Sequence, residues 1–128
     1  MPAWSAPVRF VECDAQGIVF NGHYLVWCDE ATTSWLERSG VPYASLRARG
    51  LDFSVVGATL SWSSPARYGD VVDLHVTPER AGRTSWALRH EVRVGERLCC
   101  TVVITYVVTG EDARPVPLPD DLRAALQA

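Results

Sequence analysis

The spacing of apolar residues changes along the chain and predicts two kinds of element. Residues 7–11 alternate between apolar and polar, which predicts a short first strand. From residue 22 the apolar positions recur every three or four residues, which predicts a long amphipathic helix over 22–39. Ser39-Gly40 ends this helix, and a short second helix is predicted over 43–49. We expect the stripe of the long helix to be core, namely Tyr24, Trp27, Cys28, Ala31, Trp35 and Leu36.

After Gly50 the pattern is that of strands. Strands are predicted over 51–65, 71–77, 84–94 and 97–109, the last being rich in β-branched residues. A final helical turn or two over 120–128 would have Asp120 as its cap. Consecutive strands joined by short turns predict an antiparallel sheet that the long helix covers on one face. The fold class is therefore α+β.

Composition narrows the class of protein. The 128 residues suit one domain, 1–128, and 48% of them are hydrophobic. A net charge of −3 gives no reason to expect nucleic acid or an anionic membrane as partner. The N-terminus lacks the pattern of a secretory signal, so we expect a cytoplasmic protein. The four cysteines form no C-x-x-C pair, so we expect neither a metal site nor a cofactor.

The segment ECDAQGIVFNGHYLVW, residues 12–27, carries the candidate chemistry. It leads from two acids through Gly17 to a helix start near Asn21 or Gly22. The first amides of a helix lack intrahelical partners, so they can polarise a carbonyl oxygen. Asp14 precedes them on a loop that Gly17 lets turn sharply. Either both aim at one acyl carbon, or Asp14 is a solvated turn residue and Asn21 a simple N-cap.

The run FVECDAQGIVFNGHYLVWCDEA, residues 10–31, resembles the signature of hotdog-fold thioesterases of the 4-hydroxybenzoyl-CoA thioesterase family. The matching positions are Asp14, Gly17, Ile18, Val19 and Tyr24. The resemblance is close over residues 7–45 and looser through 108. It implies a hotdog fold, in which a five-stranded antiparallel sheet wraps around one long helix.

The resemblance also implies residue roles. Asp14 would be the catalytic nucleophile or general base, the backbone N–H at Asn21 would polarise the carbonyl, and Gly17 would shape the loop. Asp29 would line the acyl pocket. Glu12 departs from the family pattern, in which Asp or Thr often stands at this position, and as a second nearby acid it could raise the pKa of Asp14. The remaining predicted substrate-binding residues are Tyr24, Ser61 and Ser63 near the acyl group, and Arg83, Thr84 and Ser85 at the CoA phosphates.

These roles predict an acyl-CoA thioesterase that releases a free acid and CoA. Two alternatives stay open: hydrolysis of acyl carrier protein thioesters, and a non-catalytic acyl-binding hotdog module. The resemblance implies a homodimer with its active sites at the interface, or a tetramer built from two such dimers. The acyl group, and whether Asp14 attacks directly or through water, stay open.

Overall fold

The computed structural model describes all 128 residues, as five strands and three α-helices. Single turns of 3₁₀-helix also occur, at Phe10–Glu12 and Glu111–Ala113. In chain order the elements are β1 (Trp4–Pro7), α1 (His23–Arg38), α2 (Tyr43–Ala48), β2 (Asp52–Trp62), β3 (Val71–Ala81), β4 (Ser85–Val94), β5 (Arg97–Thr109) and α3 (Asp120–Gln127).

The five strands form one antiparallel sheet in the order β1-β3-β4-β5-β2. Helix α1 contacts β3, β4 and β5, the middle of the sheet. Alternate residues of β5 are buried beneath it, as period-2 strand geometry requires: Cys100, Val102, Ile104, Tyr106 and Val108. The predicted α+β fold class is confirmed.

The apolar stripe of α1 packs against this face of the sheet. Tyr24, Trp27, Cys28, Ala31 and Leu36 are buried, as predicted from their spacing. Trp35 is half-buried and stacks on the core residue Trp86, with ring centroids 6.5 Å apart. The helix ends where Gly40 takes a positive φ of 80°, a conformation that glycine adopts without strain. The predicted bounds of α1 were correct to within one residue.

Four predicted details were wrong. Strand β2 ends at Trp62, three residues before the predicted end at residue 65. The first strand is residues 4–7 rather than 7–11, because the Glu12 carboxylate accepts the backbone N–H of Arg9 at 2.7 Å and turns residues 10–12 into a 3₁₀ turn. Strand β3 extends four residues further than predicted, past Pro78 and a register shift. Asp120 is the first residue of α3 rather than its cap, and Pro119 precedes it.

Strand β2 forms one edge of the sheet and pairs only with β5. Most of its residues are exposed, including Val55 (58%), Val56 (59%) and Trp62 (52%). Its outer backbone groups therefore have no partner strand within the chain. None of the helices combines the length and apolar character needed to cross a bilayer.

Candidate active site

The loop that joins the 3₁₀ turn to α1, residues 13–22, is shaped by its own backbone. Cys13 and Val19 form an antiparallel bridge, and the Asp14 N–H donates to the Ile18 carbonyl at 2.8 Å. Between them Gly17 has a φ of 78°, and its N–H donates to the Asp14 carbonyl at 3.0 Å. A side chain would be strained in this conformation, so a glycine here lets the loop reverse within four residues.

Asp14 lies at the reversal and lines a cleft of about 430 Å³. One carboxylate oxygen, Oδ1, accepts the N–H of Gln16 at 2.8 Å, which holds the side chain in an Asx turn. The other oxygen has no partner, and the carboxylate makes no ion pair with any residue of the chain. Asp14 therefore presents one fixed and one free oxygen at the cleft.

The start of α1 meets the same cleft. Asn21 lines it, and the backbone N–H groups of Asn21, Gly22 and Tyr24 donate no hydrogen bond within the chain. Such amides carry the partial positive charge of the helix dipole. They can therefore donate to a carbonyl oxygen that becomes negatively charged during reaction.

The opposite wall is the end of β2 and the turn that follows it, residues 62–65. The N–H groups of Ser63 and Ser64 donate to the Cys99 carbonyl at 2.8 and 3.3 Å. The Arg97 guanidinium donates to Ser64 Oγ at 3.0 Å and to the Pro65 carbonyl at 2.7 Å. These bonds hold the wall on β5, so its position relative to the sheet is fixed.

Tyr24 joins the loop, the helix and this wall. Its ring is buried and lines the cleft, and its hydroxyl oxygen accepts the N–H of Ala66 at 3.2 Å. Burial raises the pKa of Tyr24, so the hydroxyl stays protonated. Its own proton has no acceptor within the chain. This O–H is therefore available to a group bound in the cleft.

Glu12 does not face the cleft, although it lies two residues from Asp14. Its carboxylate is 3% exposed and accepts hydrogen bonds from Arg9, His23 and Trp27. Burial raises the pKa of Glu12, but these hydrogen bonds outweigh it and hold the pKa at about 2. Glu12 and Asp14 have separate surroundings, because one carboxylate points inward and the other into the cleft.

Of the predicted site residues, the structure brings Asp14, Asn21, Tyr24 and Ser63 together in one cleft, with Gly17 on the adjoining loop. Ser61 and Asp29 are exposed and lie outside this cleft. The remaining three, Arg83, Thr84 and Ser85, lie at the start of β4.

The β4 start is far from the cleft within one chain. Ser85 pairs with Val107 on β5, whereas Trp62 at the cleft pairs with Cys100. Seven residues of β5 correspond to about 23 Å. Any shared ligand must therefore be long, or be bound by two chains.

Sequence reasoning did not identify Gln16, Ser64 and Pro65 as cleft residues or Arg97 as their support. The Ser63-Ser64-Pro65 run indicates only a turn. Val19 donates to the Ala66 carbonyl at 2.9 Å, and this long-range bond brings the loop and the turn together. No group of three or more His, Cys, Asp or Glu side chains is placed to hold a metal ion.

Comparison with known proteins identifies the family. The model of the Thioesterase-like superfamily matches residues 8–126. A 1,4-dihydroxy-2-naphthoyl-CoA hydrolase of Synechococcus sp. (strain CC9605) is 27% identical over 131 residues, covering 97% of this chain and 88% of that protein. A protein of Aquifex aeolicus (strain VF5), whose name as an esterase is provisional, is 33% identical over 85 residues. That match covers 66% of either chain, just under two thirds of the relative's length.

A solved structure of a gentisyl-coenzyme A thioesterase superimposes with a TM-score of 0.88 and 26% identity, covering 98% of this chain and 99% of the other. The predicted hotdog fold is confirmed by this similarity, and the names of the relatives agree with the predicted enzyme class of thioester hydrolase. The matched model covers nearly the whole chain. The chain therefore belongs to the thioesterase-like superfamily.

Proposed function

We propose that the chain hydrolyses an acyl-CoA thioester to a free acid and CoA. The observation that carries the proposal is the shared cleft, which is lined both by Asp14, with its free carboxylate oxygen, and by Asn21 and Tyr24, with their unpaired amides. The names of the relatives support the substrate class, since both the hydrolase from Synechococcus and the solved thioesterase are named for aromatic acyl-CoA thioesters.

In this mechanism the thioester carbonyl oxygen lies at the amides of Asn21 and Gly22. These donors stabilise the negative charge that develops as the acyl carbon is attacked. Asp14 either attacks that carbon to form an anhydride, which water then hydrolyses to the free acid and the Asp14 carboxylate, or removes a proton from a water that attacks the carbon directly. In both routes the thiolate of CoA leaves, and a thiolate is a good leaving group because its conjugate acid has a pKa of about 8.5.

The start of β4 is proposed to bind the CoA phosphates. Arg80, Arg83 and Arg123 meet at this turn, and none of them forms an ion pair with an acid of the chain. Arg123 donates to the Gly82 carbonyl at 2.8 Å, and Arg80 donates to Ser85 Oγ at 2.9 Å. Unpaired arginines suit phosphate oxygens. The separation of about 23 Å along β5 suits CoA, whose phosphates and thioester are joined by a long arm.

We further propose that the protein is a homodimer joined along β2, or a tetramer of two such dimers. The exposed edge of β2 is a template for pairing with a second strand. Because Trp62 is the last residue of β2 and Ser63 follows it, a partner there would border the cleft. Asp29 and Ser61, which are exposed in one chain, would then contact the acyl group from either subunit.

Thiol release from a panel of acyl-CoA thioesters tests the function. The panel contains 1,4-dihydroxy-2-naphthoyl-CoA, gentisyl-CoA, 4-hydroxybenzoyl-CoA and short aliphatic acyl-CoAs, so it also tests the narrower resemblance to 4-hydroxybenzoyl-CoA thioesterases. We expect Asp14→Asn to lower kcat/KM at least about 100-fold, the usual contribution of a general base. Asp112→Asn is the matched control, because Asp112 is exposed and lies outside the cleft.

Three results would redirect the proposal. Full activity in the Asp14→Asn variant would remove Asp14 from the mechanism. Faster turnover of matched acyl carrier protein thioesters would change the carrier. Retention of CoA products without turnover of any thioester would favour a non-catalytic module.

The predicted cytoplasmic location remains a prediction that cell fractionation would test.

A further inference from the structure

Glu12 is the most enclosed acid in the chain, with 3% exposure. Its Oε1 accepts the backbone N–H of Arg9 at 2.7 Å. Its Oε2 accepts from three side chains: Arg9 at 3.1 Å, His23 Nε2 at 2.7 Å and Trp27 Nε1 at 3.0 Å. A carboxylate has only acceptor oxygens, so the His23 tautomer must carry its proton on Nε2. Four donors directed at one buried carboxylate form a fixed cluster.

The cluster does not belong to the cleft. Glu12 borders a separate depression of about 200 Å³, together with Arg9 and Trp27. No atom of Glu12 is therefore placed to touch a substrate held by Asp14. Any effect of Glu12 on the reaction must act through another residue.

The Glu12–His23 bond closes the two ends of the 13–22 loop. Glu12 is the residue before the loop and His23 is the first residue of α1. A backbone hydrogen bond closes the loop as well, because the Glu12 carbonyl accepts the N–H of Phe20 at 2.9 Å. Asp14 is the second residue after Glu12, and Asn21 is two residues before His23. Both residues therefore lie close to the point where the loop is closed. The two groups of the proposed mechanism are thus held from a single point.

We propose that Glu12 is a positioning residue, which through His23 fixes Asp14 relative to the unpaired amides at the start of α1. The inference rests on the proposed function, because it concerns how a nucleophile or base is aligned with the amides that would stabilise an oxyanion. Errors of about 1 Å in such alignment cost on the order of 100-fold in rate. Arg9, by contrast, lies on the outer side with a side chain 67% exposed, so its ion pair adds little to the alignment.

Four variants test the inference. In Glu12→Gln one oxygen becomes an NH₂ group, so a single acceptor oxygen remains and the donors of Arg9, His23 and Trp27 can no longer all be satisfied. His23→Leu removes the donor, whereas His23→Gln keeps a side-chain N–H near the same place. Arg9→Ala is the control that removes the exposed ion pair and leaves the Glu12–His23 bond. For each variant kcat and KM are measured on a thioester that the wild type hydrolyses, with amide hydrogen exchange across residues 13–22.

We expect Glu12→Gln and His23→Leu to lower kcat about 10- to 100-fold, with KM changed less than about threefold. Exchange of the Phe20 amide should accelerate in both. His23→Gln should recover most of kcat, and Arg9→Ala should stay within about twofold of wild type. A general loss of stability would lower the active fraction without separating His23→Gln from His23→Leu.

The inference fails if folded Glu12→Gln or His23→Leu keeps wild-type kcat. If Glu12→Gln does not fold, the two His23 variants decide, because His23 is partly exposed and both variants lose its ring contact with Trp27 but only His23→Leu loses the side-chain N–H. A wild type that turns over no thioester would overturn the proposed function instead. In that case exchange at Phe20 alone decides whether Glu12 holds the loop.

Discussion

Glu12 and Asp14 show how one side-chain type acquires two roles within three residues. Glu12 is buried, and its carboxylate accepts four hydrogen bonds from groups of the protein, so neither of its oxygens is free. Asp14 keeps one oxygen free at a cleft. A free carboxylate can react, whereas a saturated one can only hold its neighbours in place. Their surroundings, rather than their chemistry, distinguish the two acids.

His90 illustrates a buried polar residue that packing has kept neutral. Its Nδ1 donates to the Val102 carbonyl at 3.3 Å, so Nε2 accepts from the Thr32 hydroxyl at 2.9 Å. The Thr32 oxygen accepts in turn from the Tyr106 hydroxyl at 2.7 Å. Burial lowers the pKa of His90 to about 4, although hydrogen bonds to the backbone of Val102 and Leu88 oppose the shift. His90 is thus a core histidine whose two ring nitrogens both have hydrogen-bond partners.

We expect the free energy of unfolding to fall as the pH drops from about 6.5 to about 4. In that window unfolded His90 binds a proton and folded His90 does not, so acid favours the unfolded chain. The slope from one such group is at most about 1.4 kcal/mol per pH unit. Glu12 adds to the loss only below its unfolded pKa of about 4.5, because its folded pKa is about 2.

Urea unfolding at pH 7 and pH 5 would measure this slope. His90→Gln should flatten it, because glutamine does not titrate. His75→Gln is the matched control and should keep the wild-type slope. An unchanged slope in His90→Gln would mean that another group dominates the acid response.

At the scale of elements, the 13–22 loop depends on one backbone conformation. We expect Gly17→Ala to destabilise the protein by about 1 kcal/mol, since φ at this position is 78°. The strain should also shift Asp14 and reduce kcat/KM. Gly17→Asn should cost less in both measurements, because asparagine adopts positive φ more readily than alanine. Equal effects of the two substitutions would contradict a conformational origin.

The first strand shows why element boundaries are harder to predict than element types. Alternation of Val8, Phe10 and Glu12 indicated a strand, yet Phe10 is 79% exposed and Glu12 is buried. The decisive interaction is the bond from the Arg9 N–H to the Glu12 carboxylate. A local side-chain acceptor competes with strand pairing, and periodicity alone does not register that competition.

At the scale of the whole molecule, the β2 edge predicts a dimer. We expect Val56→Glu to give a monomer in light scattering, because pairing along β2 would bury the new charge. Activity should fall with it if the partner borders the cleft. Val71→Glu, at an exposed position on the interior strand β3, should leave both unchanged. A wild type that is monomeric at micromolar concentration would contradict the proposed assembly.

The single domain over 1–128 also stays a prediction, which one cooperative unfolding transition would support.

The sequence by itself determined the long helix, the strand-rich second half and the region of the candidate site. These follow from local patterns: the 3.6-residue spacing in α1, the alternation in β5, and the acid–glycine–helix order from Asp14 to Tyr24. Each depends on residues close in the chain, so the signal lies within a short window. The local pattern left open whether Asp14 and Asn21 are catalytic or a turn residue and an N-cap, and the resemblance to hotdog-fold thioesterases is what named Asp14, Gly17 and Asn21 as candidates.

Only the tertiary structure decided what surrounds that region. The wall at 62–65 reaches the loop through pairing of Val19 with Ala66, nearly fifty residues away in sequence. The inward turn of Glu12 depends on donors from Arg9, His23 and Trp27 meeting at one point. Such contacts join segments that no periodic pattern connects, because burial and hydrogen bonding select them only once the sheet and helix have packed.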